Sequence, residues 1–404
     1  MALIALLSAH ETARERLADG RAGPLIGLGG QPLVEFQARA AISAGAERIL
    51  ILTEAATPDL GQLVDRLGAG TGVQAALVQD MITLARSIAP GDQLLLIVEN
   101  VVIPLGSLAS LARSEAPALL AVADAPATSA FERIDAETRW AGALLMTGDA
   151  VLGTLDMLGD WDLSLTLLRR AVQDDARRIA LSPEQVMDGH LAIVHDAATA
   201  RLALQARAEQ DRLDAMAGTG PIGRLLSPLS RIIVQELVRR EVEPGWLHGA
   251  ALAAAALGLV LAVGGFAILA LLAALLASAI DELARQGARI TLRSGGMDWR
   301  QWLVSAAGLV TLAIIGWRLA DAQPLALAGA WLPLMLVGLL AWRRARGKPT
   351  DIWSGWTAMT VPVALLITLA GFLAGRPEIA LALLGLLATI MTALRFVLDE
   401  NARF

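Results

Sequence analysis

"SAIDELARQGARITLRSGGMDWRQWLV" (residues 278–304) decides how the second half of this chain is read. Asp281, Glu282, Arg285, Arg289, Arg293, Asp298 and Arg300 crowd into it, with long apolar runs on either side. Outward from this island the sequence holds six apolar segments, at about 247–263, 266–280, 302–320, 323–342, 354–374 and 377–394. Most approach the ~20 residues that cross ~30 Å of hydrocarbon. The first two are joined only by Gly264–Gly265, which predicts a tight hairpin.

Loop charge sets the expected topology. Arg285, Arg289, Arg293 and Arg300 lie between segments two and three, and Arg343, Arg344, Arg346 and Lys348 between four and five. The alternate loops hold only Arg318 and Arg376. Six spans with both termini in the cytoplasm satisfy the positive-inside rule, whereas five would put one basic loop outside. Eight of the ten tryptophans occur from Trp246 onward, most near segment ends, as in an aromatic belt.

Composition agrees. The chain has 404 residues, 55% hydrophobic, with mean hydropathy +0.57, too apolar for an ordinary soluble protein. A net charge of −6 gives no sign of a nucleic-acid partner. Absence of cysteine excludes disulfides and thiolate chemistry, and the one lysine, Lys348, leaves none earlier for phosphate work. The opening MALIALLSAHETARERL lacks a basic lead and a cleavage site, so it reads as a buried strand rather than a signal peptide.

Residues 1–200 alternate short apolar runs with amphipathic stretches. Strands are expected at Leu3–Leu7, Arg48–Thr53, Val73–Val78, Gln93–Val98, Ala118–Ala123 and Gly142–Met146, and helices at Pro32–Ala44 and Asp59–Leu67. This alternation predicts a Rossmann-like α/β domain with a mainly parallel sheet. GLGG (27–30) follows no clear strand and reads as a turn before Pro32. Asp160–Asp162 reads as a helix N-cap, and His190 and His195, five apart, suit one metal poorly. Residues 201–245 form a linker and a basic amphipathic stretch with Arg224, Arg231, Arg239 and Arg240, suited to an anionic membrane surface. Residues 246–404 form the expected six-helix, all-α membrane domain.

The charged island after the second apolar segment resembles the CDP-alcohol phosphotransferase family over roughly residues 222–400. Its motif, D-x2-D-G-x2-A-R-x8-G-x3-D-x3-D, supplies four aspartates for two divalent ions, the last aspartate acting as base. Anchored on Ala284-Arg285, the motif's glycine falls on Ser294, the third aspartate on Asp298 and the fourth on Trp302. With a one-residue gap the first two fall on Ser278 and Asp281; without it, on Ala277 and Ile280. The family's Thr before the first helix falls on His248, read as an interfacial residue. The resemblance implies Asp281 and Asp298 as surviving metal ligands, at most one weak site for Mg²⁺ or Mn²⁺, and Arg285 and Arg289 as phosphate or headgroup contacts. The plain alternative is a solvated loop of alternating charge; Arg285, Arg289 and Arg293, spaced by four, would share one helical face.

GPLIGLGGQPLVEFQARAAISAGAERILIL (23–52) resembles sugar-nucleotide, molybdopterin-guanylyl and inositol-phosphate cytidylyl transferases. Their loop after the first strand is glycine-rich, yet here no glycine precedes Gly20; their two phosphate-neutralising lysines fall on Gly23 and Gln31. Their metal-binding aspartate falls near Glu99 or Asn100, leaving Glu99 as a cation ligand. The fused order is similar to bifunctional enzymes that make CDP-inositol and transfer its inositol phosphate. The resemblance implies a multi-pass inner-membrane protein with a cytoplasmic N-terminal domain, binding membrane lipids. It implies a homodimer, or a heterodimer with an active relative. With both motifs degenerate, the leading expectation is a non-catalytic partner, scaffold or lipid-binding subunit. The alternatives are an active phosphotransferase with altered ligands and, more remotely, a transporter, for which the helices lack interior charges and repeated breaks.

Overall fold

The computed structural model describes residues 2–9, 25–157, 162–218, 244–293, 299–320 and 361–387. The chain divides into two compact units. The first comprises Met1–Asp211, Val238–Val242 and, after a long excursion, Arg289–Gly296; the second holds Arg212–Leu237, Glu243–Ala288 and Met297–Phe404.

The first unit is built on one mixed sheet. Its strands are β1 (Leu3–Ser8), β2 (Arg48–Leu52), β3 (Gln74–Val78), β4 (Gln93–Ile97), β6 (Ala118–Ala123), β7 (Glu132–Arg133), β8 (Thr138–Thr147) and β9 (Arg177–Leu181). A separate pair joins β5 (Val101–Val102) antiparallel to β10 (Ala192–Ile193). The main order is β3-β2-β1-β4-β8-β6-β9, with β7 on β8. The expected strands are present. β1, β2, β3 and β4 run parallel, joined by α1 (Leu33–Ser43), α2 (Pro58–Thr71) and α3 (Met81–Arg86). Two apolar layers, one containing Leu7, Ile49, Leu63 and Leu95 and the other Leu6, Leu50, Leu96 and Leu167, sandwich the sheet.

The sheet is mainly parallel, as the sequence predicts, with one strand reversed. β8 lies antiparallel between β4 and β6. The chain leaves β6 and returns through the short β7, which pairs with β8, without a crossover helix that would allow parallel pairing. The chain continues through α4 (Leu105–Ala112), α5 (Gly148–Leu155), α6 (Leu163–Gln173), α7 (Glu184–Met187) and α8 (Ala197–Gly218). Asp162 caps α6 by accepting from the Leu165 amide at 2.8 Å, as the sequence suggested.

The second unit is helical. α9 (Pro244–Gly264) and α10 (Ala267–Ile290) form the expected hairpin, with Gly265 at φ 89 in the turn. These two are long and apolar enough to cross a membrane. α11 (Trp299–Ala320), α12 (Val361–Leu373) and α13 (Pro377–Leu387) contribute shorter apolar stretches; the expected segment at 323–342 lies outside the described residues. The six-span arrangement therefore remains an expectation. Small residues permit close helix packing: a Cβ on Gly258 would stand 3.3 Å from the Ala270 carbonyl, and one on Gly371 would meet Ala380. Large apolar side chains stay on the outside, including Val260 at 68% exposure and Leu276 at 57%. A water-soluble bundle turns such residues inward, because exposed apolar area costs ~25 cal/mol per Å².

Candidate functional site

In open α/β sheets ligands bind outside the carboxyl ends of the strands, where connections diverge to either side. Here that place is the end of β1 and β4. Ser8, the last residue of β1, is buried and donates its hydroxyl to Glu99 Oε2, just past β4, at 3.4 Å. Glu99 thus occupies the position the sequence assigns to a cation ligand. Its loop is firmly held. Gln37, buried on α1, donates its amide to the Val98 carbonyl at 2.9 Å and the Val101 carbonyl at 2.8 Å. The Val194 amide donates to the Asn100 carbonyl at 2.6 Å, and Asn100 adopts φ 60, a left-handed conformation asparagine tolerates. Gly142 on β8 lies opposite; a Cβ there would come within 2.9 Å of Val98. Sequence reasoning missed Ser8 and Gln37. The only signal for Gln37 was an uncharged polar residue between Glu35 and Arg39 in LVEFQARAA.

One carboxylate beside a hydroxyl is a meagre donor set for a divalent ion, which prefers several oxygen ligands. Among the described residues no group of three or more His, Asp or Glu side chains comes together to hold a metal. Residues 10–24, where the resemblance places a phosphate-binding stretch, lie outside the described residues.

Gln31, on a position where the resemblance calls for lysine, is buried and committed elsewhere. GLGG is a turn, as read from the sequence: Leu28 donates its amide to the Gln31 carbonyl at 2.7 Å, and Gly29 and Gly30 both take positive φ. The Gln31 side-chain amide donates to the Thr291 carbonyl at 2.6 Å. Arg293 donates to Gln31 Oε1 at 3.3 Å and to the Gly30 carbonyl at 3.0 Å. All of these residues belong to the first unit.

Arg293 corrects one expectation. It does not share a helical face with Arg285 and Arg289, because α10 ends at Ile290 and the chain turns at Leu292, φ 54. Arg289 is exposed on the last turn of α10. Arg285 pairs with Glu282 at 2.9 Å and with Asp281 at 3.3 Å, so its guanidinium is already engaged by carboxylates.

Within the second unit, Asp281 is almost wholly buried on α10. Its Oδ1 lies 3.2 Å from Nδ1 of His248 on α9, which is likewise buried. The carboxylate is thus held from both sides, by His248 and by Arg285. Ser278, one turn earlier, donates to the Ala274 carbonyl within its own helix. Asp298 lies outside the described residues, and the same holds for the Trp302 side chain.

No protein-family model matches this sequence, and no curated protein does. Among solved structures, the chain is similar to the inositol-1-phosphate CTP transferase from T. maritima, with TM-score 0.37 and 14% identity over 50% of this chain and 96% of that one. It is also similar to a protein assigned as a glucose-1-phosphate thymidylyltransferase from Bacillus anthracis, at 0.36 and 13% over 45% of this chain and 87% of that one. Both likenesses lie over the N-terminal half. The first unit is a mixed α/β domain resembling nucleotidyltransferases.

Proposed function

We propose that this chain is an integral membrane protein of the phospholipid-headgroup synthesis type that does not itself catalyse, and that it serves as a partner, scaffold or lipid-binding subunit. The observation carrying this reading is the commitment of Gln31. Where a nucleotidyltransferase needs a cation facing triphosphate, this chain has a neutral amide buried against its own residues Thr291 and Arg293. Phosphate recognition rests on free backbone amides and mobile cations, and Gln31 supplies neither. The apolar exterior of α9 and α10 supports residence in lipid, where Arg289 would meet anionic headgroups. Membrane lipids, and a second copy or an active relative, are the partners this reading calls for.

Two measurements test it. Calorimetric titration with Mg-CTP is expected to give no micromolar binding. Purified protein in lipid, with Mg²⁺ or Mn²⁺, is expected to release no CMP from CDP-alcohols above background. Loss of one proton-transferring catalytic group costs ~10²–10⁴ in rate, and here Trp302 stands on the base position and Ser278 or Ala277 on the first ligand position. Metal-dependent turnover that disappears in Asp298→Asn would establish an active enzyme with altered ligands instead.

A further inference from the structure

Asp281 sits with 1% exposure between apolar helices, where an unpaired carboxylate is prohibitively costly. In the degenerate phosphotransferase reading, on which this inference rests, it is a remnant metal ligand. Its surroundings do not suit that role. One oxygen faces His248 Nδ1 at 3.2 Å and the other faces the Arg285 guanidinium at 3.3 Å. With Asp281 ionised its oxygens only accept, so this contact calls for the proton on Nδ1 of His248. Mg²⁺ or Mn²⁺ binding to Asp281 would need oxygen lone pairs at ~2.0–2.2 Å. His248 and Arg285 already occupy the sides from which a cation would reach those oxygens. Glu282, the neighbouring carboxylate, is taken up by Arg285 at 2.9 Å and by Gln286 at 3.3 Å.

We propose that His248 and Arg285 replace the divalent ion at Asp281, turning a metal-ligand position into a metal-independent clasp between α9 and α10. His248 is the decisive member. It comes from the other helix, so the bond it makes ties the hairpin together, whereas Arg285 lies one turn along the same helix as Asp281. Removing His248 leaves a buried carboxylate with half its compensation. The vacated side then admits a cation.

The test uses the full chain in lipid nanodiscs with Mn²⁺ as probe, followed by electron paramagnetic resonance and thermal unfolding. In the wild type, Mn²⁺ binding is expected to be the same with and without Asp281→Asn, and the unfolding midpoint is expected to ignore EDTA. His248→Ala is expected to unfold several degrees lower, to gain Mn²⁺ binding, and to recover part of its midpoint with Mn²⁺. The gain is expected to vanish in His248→Ala/Asp281→Asn. Should His248→Ala fail to fold, Arg285→Gln keeps the inter-helix bond and is expected to show the same Asp281-dependent gain. Wild-type Mn²⁺ binding abolished by Asp281→Asn would overturn the proposal, as would a His248→Ala protein that unfolds like the wild type. Neither readout involves turnover, so CMP release by a protein that passes both would sink only the non-catalytic reading.

Discussion

Gln31 and Thr291, 260 positions apart in the chain, are joined by a 2.6 Å hydrogen bond from a buried side-chain amide to a backbone carbonyl. Gly29 lies against the same threonine: a Cβ there would come within 2.9 Å of its methyl group. Arg293 then closes on the Gly30 carbonyl and Gln31 Oε1. Thr291 and Arg293 are therefore fastened within the first unit at a turn that has no room to spare.

Gln31→Ala strands the Thr291 carbonyl in a buried place, so a loss of ~1–3 kcal/mol in the stability of this turn is expected. Hydrogen exchange at residues 28–33 and 289–293 should rise together. Faster exchange at 28–33 alone would contradict the linkage. Gln31→Lys is expected to cost at least as much, since it buries a charge beside Arg293.

α5 offers two glycines whose replacement by alanine should act in opposite directions. A Cβ on Gly148 would lie 2.1 Å from the Ala89 carbonyl oxygen, and the Gly148 amide is already pinned to the Asp92 carbonyl at 2.7 Å. Gly148→Ala is expected to destabilise by ~1–3 kcal/mol or more. Gly153, in the same helix, has open space around it, and Gly153→Ala is expected to stabilise by ~0.4–1 kcal/mol. Denaturant unfolding midpoints of the two variants decide the matter.

Much of the first unit was legible because its strands are buried runs with turn residues between them. The reversal of β8 was not: WAGALLM is equally apolar whichever way it runs. The every-fourth spacing of Arg285, Arg289 and Arg293 was a true helical signal that outlived the helix, since nothing in ARITLR marks Leu292 as the residue that turns. The substitution at Gln31 was visible in the sequence; its destination, Thr291, was not. The His248–Asp281 pair was hidden for a different reason. Its members sit 33 residues apart on separate helices, and the sequence read His248 as interfacial and Asp281 as a metal ligand, each without the other.

Acid should loosen the outer half of the sheet first. The Glu137 amide, then the Arg178 guanidinium and Thr138, hold the Asp135 carboxyl well below its ordinary 3.8. Arg139 and Arg133 do the same for Asp124, and the Ala2 and Ala89 amides for Asp92. With folded values depressed, the stabilisation is complete above the unfolded value and drains away as pH falls from there through the lower folded value. Hydrogen exchange at β6 and β8 is expected to accelerate below about pH 4, and Asp135→Asn is expected to weaken that dependence. A profile unchanged in Asp135→Asn would show that the carboxylate contributes nothing.

Topology can be checked directly in a chain without cysteine. Loops 281–301 and 343–351 are expected to face the cytoplasm, on the arginine and lysine asymmetry between loops. Ser294→Cys should resist an impermeant thiol reagent added to intact cells and react once the membrane is opened. Labelling from outside would reverse the orientation.

A domain that takes back a piece of chain from residue 289 cannot be finished when residue 211 leaves the ribosome. At ~5–20 residues per second, the 78 residues from 212 through 289 (289 minus 211) take about 4–16 s to synthesise. During that interval the Gln31 amide has no Thr291 carbonyl to bond, and α9 and α10 are made before the missing segment arrives. The packing of Thr291 and Arg293 onto the turn at Gly29 and Gly30 is thereby timed by synthesis of the apolar hairpin. A gene truncated after α8 would yield a sheet domain with one of its buried amides permanently unanswered.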